Sequence, residues 1–101
     1  MPALPLELLL VQRSASGWDQ LLLTEKVSWY AFSDFAESLM NLLGAKVLMR
    51  RKSAAEHLWR FEYFGISFLL VFDDFPLGVT IEPECDLGNA QIPEILKCLR
   101  R

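Results

Sequence analysis

Residues 63–78 read YFGISFLLVFDDFPLG, and their reading decides the fold. Phe64–Gly65 is a tight-turn signal, and the strand Ile66 to Asp73 that follows is unbroken apolar from Phe68 to Phe72. In an extended chain Phe68, Leu70 and Phe72 face one way, while Leu69 and Val71 face the other. A strand apolar on both faces belongs in the middle of a sheet or needs its second face covered. Asp73 and Asp74 then end the run. Adjacent extended residues point to opposite faces, so two such carboxylates converge on one point only within a turn. With Pro76 and Gly78 close behind, the pair reads as the start of a hairpin connection rather than as a metal or acid/base site.

Working upstream, Glu56 to Phe64 alternates. Trp59, Phe61 and Tyr63 share one face, and Leu58, Arg60 and Glu62 share the other, which predicts one core face and one wet face. Lys46 to Lys52 and Val79 to Glu82 complete a set of four strands. Their connections, SAA, the Phe64–Gly65 turn and DFPLG, are too short for parallel crossovers, so the four form an antiparallel meander.

Before them, Phe32, Phe35, Ala36, Leu39, Met40 and Leu43 recur at three- and four-residue intervals and predict an amphipathic helix. Ser33 or Asp34 is placed to cap it, with Asp34 and Glu37 as a variant capping box, and Gly44 ends it in a left-handed conformation. Residues 5–13 and Gln20 to Val27 read as two strands joined by a loop that carries Gly17 and Trp18. The chain closes with a helix at about Pro93 to Leu99, the proline in its first turn and Lys97, Arg100 and Arg101 at its negative end. The expected architecture is β-β-α-β-β-β-β-α, an α+β fold with two helices packed on an antiparallel sheet.

The 101 residues suit one domain over 1–101, long enough to bury roughly two-thirds of the unfolded chain's surface without disulfides or metals. Hydrophobic residues make up 52%, high for a small domain, so part of that apolar surface is expected in a subunit or partner interface. The net charge of −3 argues against general nucleic-acid binding. Charge is unevenly placed: Lys46, Arg50, Arg51, Lys52 and Arg60 crowd one segment, and residues 61–96 hold no Lys or Arg. Opposed basic and acidic edges of this kind steer a charged partner or support self-association.

The N-terminus resembles a signal peptide only superficially, because it lacks a basic start and Glu7 interrupts its apolar run. No apolar stretch reaches membrane-spanning length. A cytoplasmic protein is expected, with Cys85 and Cys98 as free thiols whose spacing suits neither a metal site nor a redox pair. His57 is the sole histidine and alternates with Trp59 and Phe61, which makes it the end of an aromatic face rather than a catalytic base. Ser14, Ser16 and Ser53 lack a nucleophile-elbow context, and no glycine-rich phosphate loop is present. The stretch MRRKS, with Trp59 and Phe61 nearby, offers phosphate contacts through Arg50, Arg51 and Lys52, yet the two arginines project to opposite faces.

The segments FSDFAESLMNLLGAKV, HLWRFEYFGISFLLVFDD and VTIEPE together resemble a small family of uncharacterised proteins from gammaproteobacteria. The resemblance covers nearly the whole chain. It implies no activity, cofactor or site residue.

The sequence therefore favours a non-enzymatic domain that self-associates or binds a protein partner, with no catalytic, cofactor or metal residues. The candidate surface is Trp18, Asp73, Asp74, Phe75 and Leu77, the loop aromatics and the hairpin tip on an acidic flank. The alternative is a small-molecule-binding domain or minor enzyme, with a pocket between helix 33–43 and the aromatic strand face and His57 at its rim. Nucleic-acid binding through Arg50, Arg51 and Lys52 ranks third.

Overall fold

Phe64 (φ 51°) and Gly65 (φ 76°) both take left-handed backbone, the signature of the two-residue turn whose twist matches a hairpin. The turn joins β4 (Glu56–Tyr63) to β5 (Ile66–Asp74) in unbroken antiparallel register, from Tyr63 opposite Ile66 to Glu56 opposite Asp73. The computed structural model describes residues 4, 6, 8–15, 17–74 and 77–100.

Left-handed backbone is unusual for a bulky side chain. Phe64 gains little in return, being 84% exposed with its ring edge-on to Tyr63 at 4.7 Å. Asparagine is the favoured residue at this turn position. Phe64→Asn is therefore expected to raise stability by about 0.5–1 kcal/mol, read from urea unfolding. A loss of stability would show that the Tyr63 contact outweighs the backbone strain.

The remaining elements are β1 (Leu10–Arg13), β2 (Asp19–Thr24), α1 (Phe32–Leu43), β3 (Lys46–Lys52), β6 (Leu77–Pro83) and α2 (Asp86–Leu99). They give the β-β-α-β-β-β-β-α order read from the sequence. The strands form one six-stranded antiparallel sheet ordered β1-β2-β6-β5-β4-β3. The β1–β2 hairpin thus extends the meander beyond its last strand, with Leu21 opposite Ile81. As expected for a strand apolar on both faces, β5 lies inside the sheet, between β4 and β6.

Both helices pack on one face. There Leu21, Ile81, Leu70 and Trp59 form one cross-strand row. They join Phe32, Phe35, Leu39, Phe61, Phe68, Phe72, Ile92 and Ile95 in a single buried core.

Several boundaries differ from the sequence reading. β1 starts at Leu10 rather than residue 5, because Leu9 adopts φ 48° and breaks the extended run; residues 5 and 7 lie outside the described residues. β2 stops at Thr24 rather than Val27: the register slips between Leu22 and Thr24, and the Thr24 hydroxyl accepts the Lys26 N–H at 3.0 Å.

Helix α1 begins one residue earlier than its expected caps. Ser33 and Asp34 lie inside the first turn, the N-cap is Ala31, and no side chain caps it. Gly44 ends the helix as expected, at φ 66°, with Ala45 N–H reaching back to Met40 O.

Helix α2 starts about two turns before Pro93, which sits inside the helix on its exposed side. Cys85 is its N-cap, its Sγ accepting the Gly88 N–H at 3.4 Å. Gly88 is buried where α2 crosses the sheet. A Cβ at that position would stand 3.2 Å from Pro83 Cβ and 3.4 Å from Phe68.

Candidate functional site

Among the described residues, no element covers the face of the sheet opposite the helices. Its central row runs across all six strands as Leu10, Leu22, Thr80, Val71, Leu58 and Arg51. The next row places Glu82, Leu69, Arg60 and Met49 side by side. Alternation puts these residues here: in β4 and β5 they are one position out of phase with Trp59, Phe61, Phe68 and Phe72, and in β2 and β6 with Leu21 and Ile81. Val71 is only 6% exposed yet lies outside the helix-side core, because Leu58 and Thr80 flank it on the open face. The outcome is an apolar band with Leu10 half exposed at its end.

Polar groups border the band. On one side Arg60 holds Glu84 through two parallel bonds, Nε to Oε1 at 2.8 Å and Nη2 to Oε2 at 3.0 Å, and Ser67 Oγ donates to Oε1 at 2.7 Å. The Arg60 bonds and then Ser67 hold the Glu84 carboxyl below its ordinary range against the opposing effect of burial. The network ties β4, β5 and the end of β6 together.

On the other side Glu56 and Asp73 are register partners, and the half-buried Glu82, although its backbone lies in the Arg60 row, lines one groove with Asp73. Burial first, then the Asp73 charge, pushes the Glu56 carboxyl up. Glu82 is likewise raised, by burial and by Asp73 and Glu56, although the Thr80 hydroxyl partly offsets this. A carboxyl whose folded pKa is raised takes up its proton more readily when folded. Its contribution therefore favours folding below the unfolded pKa and is lost as pH rises through the folded value. Glu82→Gln is expected to stabilise the protein at pH 7 and to flatten this part of the stability profile between pH 4 and 7, measured by thermal unfolding. An unchanged profile would contradict the assignment.

The structure separates the residues singled out from the sequence. Asp73 is exposed on the open face, whereas Asp74 has the opposite parity, so the two carboxylates do not converge. Leu77 opens β6 and is 38% exposed; Phe75 lies outside the described residues. Trp18 is half-buried rather than free, its Nε1 donating to Asp86 Oδ1 at 3.2 Å, and Asp19 N–H beside it donates to Asn89 Oδ1 at 2.6 Å. These two bonds fasten the β1–β2 hairpin to the start of α2. Cys85 caps that helix, and Cys98 is half-buried.

The expected pocket between α1 and the aromatic strand face is filled. Phe32, Phe35 and Leu39 pack there against buried Trp59 and Phe61. Burial also denies those two rings to any stacking base. Arg50 covers Trp59 from outside at 4.4 Å, and Arg51 projects to the open face as expected. At the rim of the filled interface a groove of about 210 Å³ remains, lined by Ser33 and Glu37 of α1, Arg50, Arg51 and Lys52 of β3, and His57 and Trp59 of β4.

His57 lies 6% exposed among aromatic rings, 4.1 Å from Trp29 and stacked on Phe32 at 4.9 Å. Burial and then Lys52 lower its pKa, while a hydrogen bond to the Trp29 backbone acts the other way. Its Nε2 is buried with no hydrogen-bond partner among the described residues. Alternation predicted the aromatic setting, but nothing in the sequence signalled the unsatisfied nitrogen.

No helix of the described residues is long and apolar enough to cross a membrane. No curated protein and no solved structure matches the chain. Residues 9–100 match a family model described as a protein of unknown function (DUF3630), a span that takes in all eight elements of the fold, and the chain belongs to that family.

Proposed function

We propose that this chain is a non-enzymatic interaction domain that associates with a second copy of itself through the open face of its sheet. The observation that carries the reading is the apolar band of Leu10, Leu22, Val71, Leu58 and Leu69 on a face that neither helix covers. Single exposed apolar residues are ordinary on a soluble protein, but a band on a sheet face, interrupted here by Thr80 between Leu22 and Val71, supports a contact surface.

The dimensions suit a dimer. Six strands at spacings of about 4.8 Å, β1 about 13 Å and the others about 20–30 Å long, give a face on the order of 600 Å² before side-chain relief. A stable interface needs about 800 Å² per partner. Asp73, Asp74 and Leu77, at the ends of β5 and β6, border this face and are part of the same proposed surface, to which Phe75 belongs on sequence grounds alone. Trp18 supports it from the edge by holding the β1–β2 hairpin in place.

A cytoplasmic location, and a family confined to gammaproteobacteria, belong to this reading on sequence grounds alone. Light scattering on the purified chain tests it: a dimer is expected, and a monomer at every concentration up to the millimolar range would refute self-association.

A further inference from the structure

The groove at the amino end of α1 combines three features that the self-association reading does not use. First, the helix begins without a side-chain cap, leaving its first amides without a capping partner beside Ser33, although Asp34 in the first turn partly offsets the positive dipole end. Second, Lys52, the register partner of His57, makes no ion pair among the described residues, and Arg50, which lies over Trp59, has there a single exposed ion pair, to Glu37 at 3.5 Å. Third, His57 is more than nine-tenths buried, forms part of the groove wall, and has an unpartnered Nε2. Its other ring nitrogen is engaged by the Trp29 backbone, so Nε2 is the atom left for a ligand. A buried polar atom without a partner costs stability that a bound group can recover.

We propose that this groove binds the terminal phosphate group of a small molecule, held by Lys52, Arg50, the Ser33 side chain with the free amides of α1, and His57 Nε2. Helix amino ends with free amides suit such anions, and guanidinium and ammonium groups are their usual partners. Burial first and then Lys52 lower the imidazole's pKa and so favour the neutral ring, whose Nε2 can only accept. A phosphate in the groove favours the imidazolium, and Nε2–H then donates to a phosphate oxygen.

Binding is thus coupled to uptake of one proton by His57. The charged groups around the imidazole are Lys52, Arg50 and Arg51 from β3 and Glu37 from α1. Glu56 adjoins it on β4, and β5 presents apolar Phe72 to its ring. Of these, Glu37 opposes the ligand, since it competes for Arg50.

The protein's single histidine makes the test direct. Inorganic phosphate is titrated into the full chain at low ionic strength, with the His57 imidazole resonances followed by NMR across pH. Saturable shifts and a higher His57 titration midpoint are expected with phosphate and not with acetate at matched ionic strength. Lys52→Gln, at an exposed position, is expected to weaken phosphate binding about tenfold, and Glu37→Gln to strengthen it. Resonances that ignore phosphate, an equal response to acetate, or unchanged affinity in Lys52→Gln would overturn the proposal. An oligothymidylate without a terminal phosphate that binds as well as inorganic phosphate would also overturn it, by assigning the groove to a nucleic-acid backbone.

Discussion

Replacing Phe32 by Ala is expected to lower the unfolding free energy by about 3–5 kcal/mol. Phe32 is fully buried in the first turn of α1. Its ring meets His57 at 4.9 Å, Phe72 at 5.6 Å and, edge-on, Trp59 at 5.9 Å. One side chain therefore joins the helix to β4 and β5. Truncation removes the transfer energy of the ring and leaves a space bounded by large, poorly mobile aromatics that cannot collapse into it. A domain of this size holds only about 5–15 kcal/mol in all, so the variant loses a large share. Urea unfolding followed by tryptophan fluorescence measures the loss. A cost under about 1 kcal/mol would mean that the aromatic cluster does not bind α1 to the sheet as described.

The elements that depend on local pattern were readable from the sequence. β3 has the expected bounds, the turn is at Phe64–Gly65, and Gly44 ends α1, because alternation, a glycine turn and a left-handed cap each act within a few residues. What escaped depends on distant contacts. The start of α2 was hidden because Gly88 and Asn89 look like loop residues, yet Gly88 is there to pass close to Pro83 and Phe68, and Asn89 to receive the Asp19 N–H. Pro93 then drew the expected start of the helix toward itself, although the fold tolerates it on the solvent side. The uncapped start of α1 was missed because Ser33 and Asp34 satisfy a capping pattern that the chain enters one residue too early to use.

The candidate surfaces divide in the same way. The apolar character of Leu69 and Val71 was visible in the sequence, but placing them in one band with Leu22 and Leu10 required the pairing of β2 with β6. That pairing joins residues far apart in the chain and leaves no local trace. The groove beside His57 is likewise assembled from α1, β3 and β4.

Leu58→Glu is expected to weaken self-association by about 30-fold or more while the monomer keeps its fold. Leu58 lies in the middle of the open-face band, between Val71 and Arg51, and makes no part of the helix-side core. A carboxylate there is solvated in the monomer but desolvated in a face-to-face dimer, beside Glu56 and Asp73, which already repel one another. Circular dichroism checks that the sheet survives, and sedimentation equilibrium gives the dissociation constant. An unchanged dissociation constant would place the contact elsewhere on the molecule.

The most direct test of the central claim, that the open face of the sheet is an interface between copies, is hydrogen exchange of the native chain at low and high protein concentration. The amides of β5 and β6 lie inside the sheet, paired on both sides, and provide the unchanging reference. At high concentration the account predicts added protection confined to the outer strands that the second copy covers, β1 and β3, with the exposed faces of α1 and α2 unaffected. Protection that appears on the helices instead, or none at any concentration, would contradict it.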